Sequence, residues 1–125
     1  MVPPFLPDFD LALLALRLAL GIVFLAHGPI KFVKTQEMAK GLGIAENSVR
    51  AIGTLEVLGS ASVILGIWSQ VGAALLVIVM LGAIYFKTQK WGKNFTGEGG
   101  WEFEFTLLAA ALAIFFAGSG AYALF

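Results

Sequence analysis

The apolar residues of the chain gather into four long stretches separated by polar connections. The stretches cover about residues 9–30, 49–68, 71–86 and 101–124. A transmembrane helix needs about 20 apolar residues, and about 17–25 are tolerated. Three of the stretches have this length. The shorter third stretch gains a turn from residues 69–72 or from residues 87–89, whose long side chains reach the interface. The pattern therefore predicts four transmembrane helices.

The connections between these stretches predict how the helices are arranged. Ser69 and Gln70 form a tight turn, which makes helices two and three antiparallel neighbours. The first connection is polar, and we expect a short interfacial helix at about residues 36–40. Asp8 or Asp10 is the expected N-cap of the first helix. The sequence predicts an all-α membrane protein, with one domain over residues 1–125 that forms an antiparallel bundle of four transmembrane helices.

Composition supports a lipid-embedded chain. Hydrophobic residues make up 59% of the sequence and charged residues 13%, whereas a soluble domain carries about 25% charged residues. The segment before the first stretch has no basic residue, so we interpret that stretch as a retained helix rather than a signal peptide. The net charge of zero gives no indication of nucleic-acid binding. The absence of cysteine excludes thiol chemistry, and a single histidine excludes bis-histidine haem within one chain. No residue spacing predicts a metal site.

The basic residues predict the orientation of the bundle. One of the eight, Arg17, lies inside the first stretch, and the other seven lie in the first and third connections. Cytoplasmic loops are enriched in lysine and arginine. We therefore predict a multi-pass protein of the cytoplasmic membrane, with both termini outside and with loops 31–50 and 87–100 in the cytoplasm.

Arg17 and Glu56 are charged residues within the predicted spans. Counted from the outer face, Arg17 lies about 12 Å deep and Glu56 about 18 Å deep, at about 1.5 Å per residue. The two side chains carry opposite charges and are long enough to meet. Such a pair either lines a functional site for a headgroup, a quinone or a proton, or fixes helix packing. A third alternative is that the two residues do not touch.

Small residues predict which helix faces pack together. Glycine and other small side chains let membrane helices approach closely. Residues of this kind flank Arg17 and Glu56, and a further stripe follows the fourth stretch: Gly21, Gly28, Gly53, Gly59, Ser60, Thr106, Ala110, Ala113 and Ala117.

A second polar group is expected where the first and fourth helices meet the cytoplasm. His27 is the only histidine, and Glu102 and Glu104 begin the fourth helix. Because the two carboxylates lie about 200° apart on a helix, only one of them is expected to face inward. His27 either meets that carboxylate and accepts protons or acts as an interfacial residue.

Several segments of the chain resemble the DoxX family of small membrane proteins. The resemblance covers nearly the whole chain from Asp10 onwards. Its motifs are RLALGIVFLAHGPIKF at residues 17–32, GTLEVLG at residues 53–59, Leu65-Gly66, GGWEF at residues 99–103, and Gly118-x-Gly120. The chain departs from the family pattern at its end, AYALF, where many members have an acidic residue.

The resemblance implies a four-helix membrane bundle associated with redox work, since relatives include subunits of thiosulfate:quinone oxidoreductases. It points to Arg17, His27, Lys31, Glu56 and Glu102 as site residues. We therefore expect a membrane subunit of an oxidoreductase system that binds a quinone or another lipophilic ligand. Because the chain has no redox group of its own, electrons would come from that quinone or from a partner subunit.

Two alternatives to the redox subunit stay open at this point. One is a non-catalytic scaffold for partner enzymes, with a structural Arg17–Glu56 pair. The other is a small transporter or proton conductor. Four short helices enclose little volume, so we expect a pore to require a homo-oligomer.

Overall fold

The computed structural model describes residues 8–124, and all regular elements within them are helical. In chain order they are α1 (Phe9–His27), α2 (Ile30–Val33), α3 (Thr35–Leu42), α4 (Glu46–Leu65), α5 (Ser69–Tyr85) and α6 (Glu102–Ala117). Helix α5 continues into one π-helical turn, Phe86–Lys90. The predicted all-α class is confirmed, and α3 covers the short helix expected at about residues 36–40. Of the two expected N-cap residues, Asp8 caps α1, and its Oδ1 accepts a hydrogen bond from the Leu11 amide.

The four long helices pack side by side. Helix α4 packs against α1 and α5, α5 packs against α6, and α6 returns to α1. Sequential long helices are antiparallel, because the contacts between them run in opposite directions along the chain: Gly21 with Ile64 and Gly28 with Val57, Gly59 with Leu76 and Gly72 with Ser62, and Gln70 with Phe115 and Lys87 with Glu104. Seven lysine and arginine side chains lie at one end of the assembly, which we call the basic end. The opposite end, where α1 begins and α6 stops, we call the tail end. The buried apolar core runs between the two ends: Leu20, Phe24, Val63, Ala73, Leu76, Met80, Leu107, Ala111 and Ile114.

Three segments are long and apolar enough to cross a membrane: Phe9–Val33, Glu46–Leu65 and Ser69–Lys90. Large apolar side chains are also exposed along the outer surfaces of the helices, as lipid contact requires. The chain is thus a multi-pass membrane protein. Helix α6 has 16 residues, which corresponds to about 24 Å, and is shorter than the predicted stretch of about residues 101–124. It ends early because Gly118 has a φ of +82°, outside the helical region.

Glycine contacts confirm the predicted close approach of α4 to its two neighbours. A Cβ on Gly53 would lie 3.1 Å from the carbonyl oxygen of Gly28, and a Cβ on Gly72 would lie 2.9 Å from that of Gly59. Backbone atoms cannot move aside, so these crossings require glycine. Of the small stripe predicted on α6, only Ala110 packs against the core. Thr106, Ala113 and Ala117 are exposed, because α6 buries another face: Glu104, Leu107, Ala111 and Ile114.

The turn between α4 and α5 is tight, as predicted, but it lies three residues earlier in the chain. Gly66 has a φ of +73° and Trp68 a φ of +50°, and Ser69 and Gln70 already belong to α5. Glycine adopts this left-handed conformation without a steric cost. The conformation stops α4 at Leu65 and reverses the chain within a few residues.

Candidate functional site

Arg17 is 1% exposed and all its polar contacts within residues 8–124 are to backbone carbonyls. Its Nε donates to the carbonyl of Val63 at 2.8 Å, and Nη2 donates to that of Ile64 at 3.0 Å. Nη1 donates to the carbonyls of Tyr122 at 2.7 Å and Ser119 at 3.1 Å. The guanidinium therefore joins α1 to the end of α4 and to the chain that follows α6.

The end of α4 explains why an arginine is needed here. The last four carbonyls of a helix have no partner within it. In α4 the Ser62 carbonyl accepts from the amides of Gly66 and Ile67, and the Leu65 carbonyl accepts from the amide of Leu124. Arg17 supplies the donors for the remaining two. A cation is also favoured at the negative end of the helix dipole.

Residues 118–124 form a tail that folds back over the tail end of the bundle. Asp10 Oδ1 accepts a hydrogen bond from the Ala121 amide at 2.9 Å. A Cβ on Gly66 would lie 2.6 Å from the Cβ of Ala123, so the tail packs directly on the glycine turn. We call Arg17, Asp10 and their backbone partners the tail clamp.

The Arg17–Glu56 pair proposed as one interpretation of the sequence does not form. Val63 lies seven residues after Glu56 on α4, about 10 Å along the helix. The long Arg17 side chain instead binds the unpaired carbonyls at the helix end. Glu56, 2% exposed, pairs with Lys31, whose Nζ lies 2.5 Å from Oε1. The third alternative weighed for these residues, no contact between them, is what the structure has.

A pocket of about 450 Å³ opens among the helices near the basic end. Its walls are mostly apolar, and it contains four charged side chains that form two ion pairs: Lys31 with Glu56, and Lys87 with Glu104. His27 also lines it. The remaining wall includes Phe24 from α1, Met38 and Leu42 from α3, Ile52 and Leu55 from α4, Met80 and Ala83 from α5, Phe86, Trp91, and Phe103 and Leu107 from α6. Ligand pockets in proteins typically have this size and this mixture of apolar walls with few polar groups.

The carboxylate that α6 contributes to the pocket is Glu104 rather than Glu102. Glu104 Oε1 accepts a hydrogen bond from Lys87 Nζ at 2.9 Å, and Lys87 also donates to the Gly100 carbonyl at 3.2 Å. Glu102 is exposed. The expectation that only one of the two faces inward is confirmed, but the assignment of Glu102 to the site is corrected. The buried face of α6 rotates Glu102 away.

His27 lies at the exposed end of α1, and it forms no ion pair with a carboxylate of residues 8–124. Its ring packs against Phe103, with 6.0 Å between ring centroids. It therefore forms part of the pocket rim with an aromatic neighbour. Of the five residues that the sequence predicted for one site, the structure brings together His27, Lys31 and Glu56, and it places Arg17 and Glu102 elsewhere.

Lys87 and Glu104 line the pocket but are not among the five site residues predicted from the sequence. Glu104 shares a spacing of three and four residues with Leu107, Ala111 and Ile114, and this pattern marks a buried face. Lys87 lies in the π-helical turn, which the sequence does not signal. Such turns occur often at functional sites, because one extra residue changes the direction of the side chains that follow.

Together, the helices and the pocket define a small multi-pass membrane protein with ionisable groups in an apolar internal site. Among residues 8–124, no three potential metal-ligating side chains come together. The DoxX family model matches residues 12–89, and the chain belongs to the DoxX family.

One relative gives a further comparison. The chain is 29% identical over 115 residues to a Bacillus subtilis (strain 168) protein named "Putative oxidoreductase CatD", covering 90% of this chain and 83% of that protein. No solved structure matches the chain.

Proposed function

We propose that this protein is a membrane subunit of an oxidoreductase system, and that its pocket binds a quinone or a similar lipophilic ring. The observation that carries the proposal is the pocket itself, in which two lysine–glutamate pairs lie between apolar and aromatic walls. Ionisable groups at membrane depth are costly and commonly serve function. The name of the Bacillus relative agrees with redox work.

The pocket fits a quinone head group in size and in chemistry. Aromatic side chains suit a flat ring. The lysine ammonium groups can donate hydrogen bonds to ring oxygens, since each carries three donors. A quinone is soluble in the bilayer, so it can reach a site between membrane helices. In this role the chain binds and orients the ring, and a bound quinone supplies the electron chemistry.

The chain contains no cysteine and therefore has no thiol redox group of its own. We therefore propose a partner oxidoreductase subunit that exchanges electrons with the quinone. Trp91 and Phe103 are exposed at the pocket rim, so a ring bound between them would lie close to the basic end. That end is where we expect a partner to dock.

Filling the pocket tests the proposal directly. Gly82 lines the pocket, and a Cβ built on it meets nothing within 4 Å. We expect Gly82→Leu to keep the fold and to weaken binding of decyl-benzoquinone by about tenfold or more, since overpacking an occupied site costs about 1–3 kcal/mol. Calorimetric titration of the protein in lipid nanodiscs measures this affinity.

Ala109→Leu is the matched control, because Ala109 is exposed on α6 and lies outside the pocket. It adds the same side chain without changing the affinity. Absence of quinone binding by the parent protein, or equal affinities of both variants, would contradict the assignment of the pocket.

A scaffold function is supported by a different observation, the tail clamp. Arg17 has all its contacts to backbone carbonyls, as a structural residue does. In the scaffold alternative the two ion pairs in the pocket would also serve packing alone. Failure of the parent protein to bind any quinone, with the fold intact, would favour this alternative.

We propose that α6 is a fourth transmembrane helix, and that the basic end lies in the cytoplasm. The two basic connections carry seven lysine and arginine residues, and the tail-end turn and the residues after α6 carry none. This asymmetry supports a cytoplasmic basic end, because cytoplasmic loops are enriched in lysine and arginine. Both termini would then lie outside the cytoplasmic membrane, and the tail would complete the short α6.

The natural absence of cysteine gives a clean test of this topology. Lys93→Cys and Tyr122→Cys each place one thiol at an exposed position, on opposite sides of α6. We expect a membrane-impermeant maleimide to label Tyr122→Cys in intact spheroplasts and Lys93→Cys only after the membrane is opened. Labelling of both thiols, or of neither, in intact spheroplasts would show that α6 does not span the membrane.

A further inference from the structure

The two ion pairs in the pocket differ in how their hydrogen-bonding capacity is used. Lys87 donates to Glu104 and to the Gly100 carbonyl, and so fixes the start of α6 to the end of α5. The Lys31 ammonium group has no polar partner within residues 8–124 except Glu56. The Lys31 contact with Oε1 is close but poorly aligned, and Oε1 accepts no hydrogen bond of acceptable geometry from these residues.

Glu56 is therefore a buried carboxylate with unused acceptor capacity on the wall of an apolar pocket. An ionised carboxylate has about four lone-pair sites, and buried acceptors are normally satisfied. A Lys31 ammonium beside it has further donors available. The pair thus presents an acceptor and a donor at one point, which matches a hydroxyl group that donates to Glu56 and accepts from Lys31.

An oxidised quinone ring cannot complete this arrangement. Its carbonyl oxygens accept hydrogen bonds from Lys31, but the ring has no donor for Glu56. A hydroquinone or another phenol supplies the missing O–H. Sites with buried polar groups discriminate strongly against an analogue that leaves those groups unpaired.

We infer that the pocket selects the reduced, hydroxylated form of a lipophilic aromatic ring, with one ring hydroxyl bound between Lys31 and Glu56. This inference rests on the proposed function, since it requires the pocket to bind such a ring. Phe24, Phe86, Trp91 and Phe103 provide the aromatic surfaces for the ring. Lys31 and Glu56 determine the specificity, whereas Lys87 and Glu104 hold the pocket wall in place.

The test compares three ligands with one tail: decyl-benzoquinone, its hydroquinone and the dimethyl ether of the hydroquinone. Titrations are anaerobic, in nanodiscs, with the full chain. We expect the hydroquinone to bind about tenfold more tightly than the quinone or the ether, as expected for one hydrogen bond to a charged group. In Glu56→Gln the ratio of the hydroquinone affinity to the quinone affinity falls towards one, because the glutamine amide can donate a hydrogen bond to a quinone carbonyl.

Glu102→Gln is the matched control, since Glu102 is exposed and should leave the preference unchanged. Equal affinities of the parent protein for all three ligands would overturn the selectivity while leaving the pocket assignment in place. A preference that survives in Glu56→Gln would overturn the role of Glu56. Binding of none of the ligands would overturn the proposed function itself. The ether comparison uses the parent protein, so the result does not depend on whether Glu56→Gln folds.

Discussion

Replacing Arg17 with leucine is expected to destabilise the protein by about 3 kcal/mol, because an unsatisfied buried acceptor costs about 1–3 kcal/mol. The substitution removes every donor to the carbonyls of Val63 and Ile64 and both side-chain hydrogen bonds to the tail. The tail carbonyls can turn to water once they are released. The two α4 carbonyls stay in apolar surroundings, and they account for most of the loss. Reversible unfolding of the detergent-solubilised protein by sodium dodecyl sulfate measures it.

Two variants distinguish the effect of the hydrogen bonds of the tail clamp from the effect of losing a positive charge. Arg17→Lys keeps a cation but loses the planar fork that reaches carbonyls on two segments, so we expect an intermediate loss. Arg50→Leu removes an exposed arginine that bonds Asn47 and should change stability by less than about 0.5 kcal/mol. A stability of Arg17→Leu equal to that of Arg50→Leu would show that the tail clamp contributes nothing.

The sequence predicted the helices and their partners where a periodic or glycine signal exists. Apolar stretches located the long helices, and the predicted Gly53 and Gly59 lie at the close crossings that small residues require. The end of α6 was overestimated, because the stretch stays apolar after Gly118 while the backbone turns there. Hydropathy indicates the surroundings of a residue and not its φ angle, so an apolar tail has the same sequence pattern as a continued helix.

The pairing of the charges was harder to predict than their burial. Both Arg17 and Glu56 are buried, as expected from their position within spans. Opposite charge and similar depth suggested that they pair. The prediction counted side chains only, and it omitted the unpaired carbonyls at the end of α4, which compete for the guanidinium. Lys31 lies beyond the end of α1, and its long stem reaches Glu56 from the interface.

The two ends of the bundle therefore have separate roles. The tail clamp closes one end with hydrogen bonds between side chains and backbone groups, and the pocket near the basic end contains the two lysine–glutamate pairs. This separation means that stability variants in the clamp need not change ligand affinity. The contribution of the second ion pair of the pocket, Lys87–Glu104, to the stability of the protein can then be measured separately from the clamp.

We expect Lys87→Met to lower the stability of the protein by about 2–3 kcal/mol. Breaking a fully buried ion pair costs about 3–5 kcal/mol, and the expected loss is smaller here because the lysine side chain is partly exposed. Glu104 is 9% exposed and its short side chain cannot leave the pocket wall. Without Lys87 it becomes an unpaired buried carboxylate. Glu104→Leu should cost less than about 1 kcal/mol, since Lys87 keeps the Gly100 carbonyl and its long stem can carry the ammonium towards the headgroups.

The asymmetry between the two variants is the decisive result, and the same unfolding experiment measures it. Lys34→Met and Glu102→Leu make similar changes at exposed positions and should leave stability nearly unchanged. Equal losses of stability in Lys87→Met and Glu104→Leu would mean that only the attraction between the two charges stabilises the protein. The buried Glu104 carboxylate would then not depend on Lys87 for compensation. If Glu104→Leu also keeps the hydroquinone preference, the two ion pairs have different roles: Lys87–Glu104 holds the pocket wall in place, and Lys31–Glu56 recognises the ring.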